Sequence, residues 1–331
     1  MRILILGGTR FIGRVFIETA LARGHEITYF HRGQTEPGLF LQAQEVLGDR
    51  AGDLARLGVK TWDVVLDTSG YVPRLVQESA RFLAPRVGQY IFISTISVFA
   101  DFKKKSMTED APLGTLEDET IEEINEDTYG PLKVLCEKII RRTFPQNSLI
   151  IRPGLIVGPF DSTDRFTYWV RRAAHSGEIL APAPPEQPIQ LIDVRDLMGW
   201  TLDLIEAGAT GIFNATGPKA PLTMSQLLNA CMIHAEHPTH LTWVDERFLN
   251  DQEVQPWSDL PFWMPGDEYA GLLTMDCSKA FAAGLELRPL QETIEATLEW
   301  DQSRDPKADL KAGISSEREA QLLNLWKRHA N

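Results

Sequence analysis

The stretch Arg2-Ile3-Leu4-Ile5-Leu6-Gly7-Gly8-Thr9-Arg10-Phe11-Ile12-Gly13 decides the fold. Ile3 to Leu6 is an unbroken apolar run that stops at glycine, the pattern of a strand buried on both faces of a parallel sheet. From Phe11 onward the apolar residues recur at helical spacing through Ile12, Val15, Phe16 and Ala20, and Gly24 stands where a helix C′ residue belongs. A glycine-rich turn between a strand and a helix is the setting a dinucleotide fingerprint requires. Gly7 permits the tight turn and a close approach of pyrophosphate to the helix N-terminus, where free N–H groups favour an anion. Gly13 lets the helix pack tightly on the strand. The turn residues Thr9, Arg10, Phe11 and Ile12 join the candidate cofactor set. A bare strand-to-helix corner needs no ligand, but this order of strand, turn and helix favours one.

The alternation continues outward. Strands are expected at Glu26 to Phe30, Val64 to Asp67, Tyr90 to Ser94 and Ser148 to Arg152, and helices at Val72 to Leu83 and Asp127 to Thr143. Strands alternating with helices imply a doubly wound parallel sheet of the Rossmann type, an α/β fold. Ile189 to Ile192 and Gly211 to Asn214 read as strands that return to that sheet. Ala181 to Pro185 reads as a stiff proline-rich connector. Residues 241 to 270 are loop-rich and aromatic, and helices are expected at Leu290 to Asp301 and Ser315 to His329. The expected organisation is a cofactor domain over 1–158, with 189–217 returning to it, and a smaller substrate lobe over 159–188 and 218–331.

The 331 residues give a prior of roughly two domains. There are 33 Lys+Arg against 46 Asp+Glu, so the formal net charge is −13, which argues against a nucleic-acid partner. Cys136, Cys231 and Cys277 are widely spaced and imply neither a disulfide framework nor a structural zinc site. The first apolar run is too short for the core of a signal peptide, and no run reaches the roughly 18 apolar residues of a membrane span. A cytoplasmic location and no membrane partner are the expectation. His234, His237 and His240 are evenly spaced, but Pro238 interrupts any helix between them, so no metal is expected.

Three clusters carry chemistry. First, the second strand ends in Phe30-His31-Arg32 with no carboxylate. An acid there would bind the ribose hydroxyls of NAD, whereas arginine binds a 2′-phosphate. NADP(H) is therefore expected over NAD(H), with His31, Arg32 and Arg10 at the phosphates. Second, Tyr129 and Lys133 stand four apart and share one face of a helix. A free phenol has a pKa near 10; a neighbouring cation favours the phenolate. Third, Ser94-Thr95 ends an apolar strand, where hydroxyls face the ligand crevice of a doubly wound sheet or simply cap a loop.

Taken together these motifs resemble the short-chain dehydrogenase/reductases, in their extended epimerase/dehydratase branch. The resemblance runs over nearly the whole chain. It includes Asp49-Arg50, Arg152-Pro153-Gly154, Ile192-Asp-Val-Arg-Asp196, Phe213-Asn-Ala-Thr-Gly217 and Asp276-Cys-Ser-Lys279. The form Gly-Gly-Thr-Arg-Phe-Ile-Gly is similar to an atypical subgroup that includes chloroplast stem-loop-binding proteins. The resemblance implies an NAD(P)-linked oxidoreductase acting on a carbonyl or alcohol. Tyr129 would be the acid/base, Lys133 the partner that lowers its pKa, and Thr95 the hydroxyl that orients substrate. It also implies that Asp49 and Arg50 lie near the adenine, that Ser69, Gly70 and Ser94 line the cofactor cleft, and that Pro153, Gly154, Leu155 and Ile156 sit by the nicotinamide. The alternatives it leaves are a sugar epimerase with bound cofactor and an RNA-binding protein of the stem-loop type. A homodimer is expected by the same analogy.

Departures from the family pattern bear on substrate. Ile96-Ser97 follows Thr95 where dehydratases carry an Asp-Glu pair. Ile189 and Trp263-Met264-Pro265 stand where nucleotide-sugar enzymes carry phosphate-binding arginines. A UDP- or dTDP-sugar is therefore disfavoured. Tyr71, Phe160, Trp257 and Trp263 are candidate substrate contacts; Trp257 and Trp263 are equally readable as core. The segment between Thr95 and Tyr129 carries Lys103-Lys104-Lys105 and then dense acid, and reads as a solvated flap or a lid.

Overall fold

A computed structural model describes residues 1–329 apart from 176, 236, 306 and 307. The chain runs β1 (Arg2–Leu6), α1 (Phe11–Ala22), β2 (Glu26–His31), β3 (Gln44–Leu47), β4 (Trp62–Asp67), α2 (Pro73–Leu83), β5 (Val87–Ile93), α3 (Glu126–Thr143) and β6 (Ser148–Pro153). There follow β7 (Leu155–Val157), α4 (Arg165–Ala174), β8 (Gly177–Pro182), β9 (Pro188–Ile189), β10 (Leu191–Asp193), α5 (Val194–Glu206) and β11 (Gly211–Ala215). The last part holds β12 (Leu222–Thr223), α6 (Met224–Cys231), β13 (Thr239–Val244), α7 (Glu246–Asp251), α8 (Ser278–Ala282), α9 (Leu290–Gln302) and α10 (Ser316–His329).

Seven strands form one sheet in the order β11-β6-β5-β4-β1-β2-β3, and every pairing in it is parallel. Its central strands are apolar because helices cover both faces. On one face α1 and α5 contribute Phe16, Ile17, Leu197 and Ile205 against Ile3, Ile5 and Ile91. On the other, α2 and α3 contribute Val76, Leu83, Cys136 and Ile140 against Leu4, Val65 and Phe92. A separate apolar core holds Phe166, Trp169, Leu180, Leu228, Val244, Phe262, Trp263 and Ile294. Among the described residues no helix is long and apolar enough to cross a membrane.

Two strand expectations need correction. Of the two segments expected to return to the sheet, only β11 does so, and it occupies the edge beside β6. With that edge taken, β10 pairs with β7, which continues the chain beyond Gly154, and β9 pairs antiparallel with β12. The proline-rich connector also begins inside a strand. Ala181 and Pro182 end β8, which pairs in parallel with β13. Proline is tolerated there because it is the last residue of a two-stranded sheet, not part of a central strand.

Candidate active site

The C-terminal ends of β1, β2, β4, β5 and β6 open onto one cleft of about 790 Å³. This is where a doubly wound sheet presents its ligands. One end is built on the first turn of α1. Gly7 has φ +107, and a Cβ there would stand 2.5 Å from the Thr68 hydroxyl. Gly13 meets the Gly8 backbone so closely that a Cβ would lie 2.6 Å from its Cα. The helix start has no side-chain cap and no acid in its first turn. Its orphan N–H groups therefore face the cleft available to an anion. Thr9 and Thr35 join the turns after β1 and β2 through a 2.7 Å hydroxyl contact. A pyrophosphate fits these features.

Arg10 and Arg32 line the same end, exposed and, among the described residues, without an ion-pair partner. His31 is buried, and its Nε2 lies 2.8 Å from the Glu45 carboxylate. That carboxylate stands on β3. It also accepts from the Gly38 N–H, which with His31 and Tyr29 holds its pKa below the usual range. Asp49 lines the cleft while its carboxylate accepts from the Ala51 N–H.

Beneath the floor, Arg50 grips Asp67 through two bonds of 3.0 and 2.9 Å. Asp67 is fully buried and also accepts from the Tyr90 hydroxyl and the Ser69 N–H. Burial alone would push this carboxyl up; Arg50 and the hydrogen bonds outweigh that and hold it below its ordinary value. Arg50 is thus committed to Asp67 and Ser79 at the edge of the cleft. Ser94 is committed too. Its hydroxyl donates to buried Glu137 at 2.6 Å, and Glu137 in turn accepts from both Nε and Nη2 of Arg152.

At the other end stand the candidate reacting groups. Helix α3 begins at a capping box, in which Asn125 accepts from the Thr128 N–H and Thr128 from the Asn125 N–H. Tyr129 is therefore in the first turn. Gly130 packs so close that a Cβ would stand 2.0 Å from the Ser97 carbonyl oxygen, and this contact brings Tyr129 beside Thr95. Thr95 lies near enough to favour the phenolate, while its own hydroxyl donates to the Ser97 Oγ at 3.1 Å. Lys133 is buried, donating to the Gly70 and Ile93 carbonyls at 2.8 and 2.7 Å.

The phenol's environment differs from expectation. Burial first, and Tyr71 second, push its pKa up to about 12; the groups that oppose this are Thr95 and the guanidinium of Arg165. Burial brings the Lys133 ammonium down to about 8. At neutral pH Tyr129 keeps its proton, so in the ligand-free protein it is poised to donate.

Most of the expected residues meet in this cleft: Gly7, Thr9, Arg10, Phe11, Ile12, His31, Arg32, Asp49, Arg50, Ser69, Tyr71, Ser94, Thr95, Tyr129, Lys133, Pro153, Gly154, Leu155, Ile156 and Trp257. Four stand apart. Gly13 and Gly70 act through packing and through a carbonyl. Phe160 is half-buried under the Arg14 guanidinium, 3.9 Å from its ring centre. Trp263 is fully buried in the second core and is not a wall of the cleft. The segment after Thr95 is not a free flap. Met107 is buried, and backbone bonds tie Phe102, Ser106 and Met107 to residues 271–276. Sequence reasoning missed Arg165, Asp161 and Glu137. Only the last carried a local signal, since it lies one helical turn from Lys133.

No family model matches the chain. A curated relative, the "Chloroplast stem-loop binding protein of 41 kDa b, chloroplastic" of Arabidopsis thaliana, is 28% identical over 252 residues, 70% of this chain and 62% of that protein. The chain thus spans less than two thirds of that relative's length. Solved structures superpose over most of the chain. UDP-glucuronic acid 4-epimerase from Bacillus cereus, in complex with NAD, matches with TM-score 0.68 and 15% identity over 94% of this chain and 100% of that one. The UDP-Glc/GlcNAc 4-epimerase of Campylobacter jejuni gives TM-score 0.68 and 15% identity over 92% and 99%. The Bordetella bronchiseptica enzyme WbmG, in complex with NAD, gives 0.68 and 18% over 92% and 94%. The chain has the fold of these solved structures.

Proposed function

We propose that this chain is an NADP(H)-dependent oxidoreductase acting on a carbonyl or alcohol substrate that is not a nucleotide sugar. One observation carries the reading: Tyr129, Thr95 and Lys133 converge in the same cleft as the uncapped, glycine-lined start of α1. A nicotinamide dinucleotide supplies hydride transfer when bound. The chain's own residues do the rest. Gly7 to Ile12 and Arg10 hold phosphates, and Arg32 meets the 2′-phosphate. Thr95 orients the substrate oxygen, Tyr129 moves the proton on it, and buried Lys133 fixes the floor through Gly70 and Ile93.

The preference for NADP(H) rests on two arginines that are exposed and, among the described residues, unpaired, and on Glu45 being engaged by His31 and Gly38. The disfavour for a nucleotide sugar rests on Ile189 and Trp263, both fully buried where a diphosphate would need cations. Relatives in the fold bear the names of epimerases, and an epimerase uses the same proton and hydride machinery. The net charge of −13 weighs against the RNA reading that the curated relative's name raises.

Fluorescence titration with NADPH and NADH, followed by a screen of carbonyl compounds read by NADPH absorbance, tests the proposal. NADPH is expected to bind more tightly, and Tyr129→Phe to lower turnover about 10²–10⁴-fold while cofactor affinity holds. Tighter NADH binding sinks the cofactor preference, undiminished turnover sinks the role of Tyr129, and salt-dependent RNA binding without cofactor binding favours the other reading.

A further inference from the structure

Arg165 opens helix α4 at the reacting end of the cleft. Its Nε donates to the Thr163 hydroxyl at 3.1 Å, and its guanidinium stacks 5.0 Å from the Trp257 ring centre. Trp257 is held in place in turn by an edge contact with buried Phe262. The carboxylates nearby are engaged elsewhere. Asp164 accepts from Arg304 at 2.8 Å and from the Lys311 N–H, and Asp161 accepts from the Thr163 N–H and hydroxyl. Among the described residues Arg165 has no ion-pair partner, and its two terminal nitrogens make no protein hydrogen bond.

A half-buried guanidinium with no ion pair among the described residues bears a desolvation cost, and burial lowers its pKa against the opposing fields of Asp161 and Tyr129. Arg165 and Tyr129 both line the cleft, so the guanidinium and the proton-moving group face one space, and the guanidinium's charge acts on the phenol. A planar two-pronged donor on an aromatic face matches a single oxyanion. Ile189 and Met264 offer no second cation for a diphosphate.

We infer that the substrate carries an oxyanion, a carboxylate or a phosphate ester, which seats on Arg165 against Trp257 while its carbonyl or alcohol faces Thr95 and Tyr129. This rests on the carbonyl reading above and makes Arg165 its specificity residue. The test is calorimetric titration of the chain, with and without saturating NADP⁺, using benzoylformate, its neutral methyl ester and phenyl phosphate. The wild type is expected to bind benzoylformate or phenyl phosphate at least tenfold more tightly than the ester. Arg165→Met should erase that difference and Arg165→Lys should keep part of it; the lysine variant carries the test if the methionine variant does not fold. The tighter of the two anions assigns carboxylate or phosphate ester. Equal binding of acid and ester to the wild type, no binding of either anion, or a preference surviving in Arg165→Met overturns the inference. Because the titration is also read without cofactor, failure of NADP⁺ to bind sinks the cofactor reading alone.

Discussion

The two ends of the cleft use positive charge in opposite ways. At the α1 end, Arg10 and Arg32 are exposed and, among the described residues, unpaired, so the fold does not depend on them. At the α3 end, Lys133 and Arg152 are almost fully buried and every donor quoted for them meets a carbonyl or carboxylate. The first arrangement keeps charge available to a ligand at little structural cost. The second spends charge on holding strand ends in register. Arg165 stands between these limits, half-buried where the second group is almost fully buried and, among the described residues, unpaired as the first is, and that combination marks it as a ligand group.

The comparison breaks most visibly at Glu137. Glu137→Ala leaves Arg152 buried beside no carboxylate and frees the Ser94 hydroxyl; about 3–5 kcal/mol of stability should be lost, read by urea denaturation. A loss near zero would show that the reacting end is not built on this pair.

Arg32→Ala should do the reverse. It should leave the urea midpoint unchanged and weaken NADPH binding about tenfold or more, the loss of one charge-assisted hydrogen bond, with NADH binding unaltered. A parallel loss for both cofactors would move Arg32 from the 2′-phosphate to the shared phosphates.

Protonation sharpens the contrast at Lys133. Its pKa is near 8 in the folded chain against 10.5 unfolded, so between these values the unfolded state binds more protons and stability rises with pH. The contribution is present above the unfolded value and is lost as pH falls through about 8. Relative to Lys133→Met, the wild type should gain roughly 2 kcal/mol from pH 7.5 to pH 9.5. The window closes above pH 10, where Tyr129, raised to about 12, acts with the opposite sign. A flat difference between the two proteins would contradict the burial of the ammonium.

The smallest effect belongs to a pair that neither end uses. Arg74 reaches Glu122 at 2.8 Å with both side chains about half exposed, and Arg74→Ala should leave the melting temperature where it is. A clear drop would mean that the segment between Thr95 and Tyr129 is held down by this contact and not by the backbone bonds of Phe102, Ser106 and Met107 to residues 271–276.

The sequence by itself determined whatever depends on neighbours along the chain. Gly7 to Gly13 between an apolar run and a helical period specified the turn of α1, because a positive φ and close backbone approach are local demands. The four-residue step from Tyr129 to Lys133 placed both on one face of α3. Runs such as Ile3 to Leu6 declared strands buried on both faces. Tertiary structure decided what depends on contacts between distant segments. It put Glu45 of β3 against His31, sent residues 189–193 to β7 and β12 instead of the sheet, and paired Glu137 with Arg152. It separated Trp257, a wall of the cleft, from Trp263, fully buried core, although the two lie close in the same loop-rich stretch. It also raised the pKa of Tyr129, through burial first and Tyr71 second, with Arg165 opposing. Periodicity reports which face of an element turns inward; only the packed chain fixes which partners that face meets.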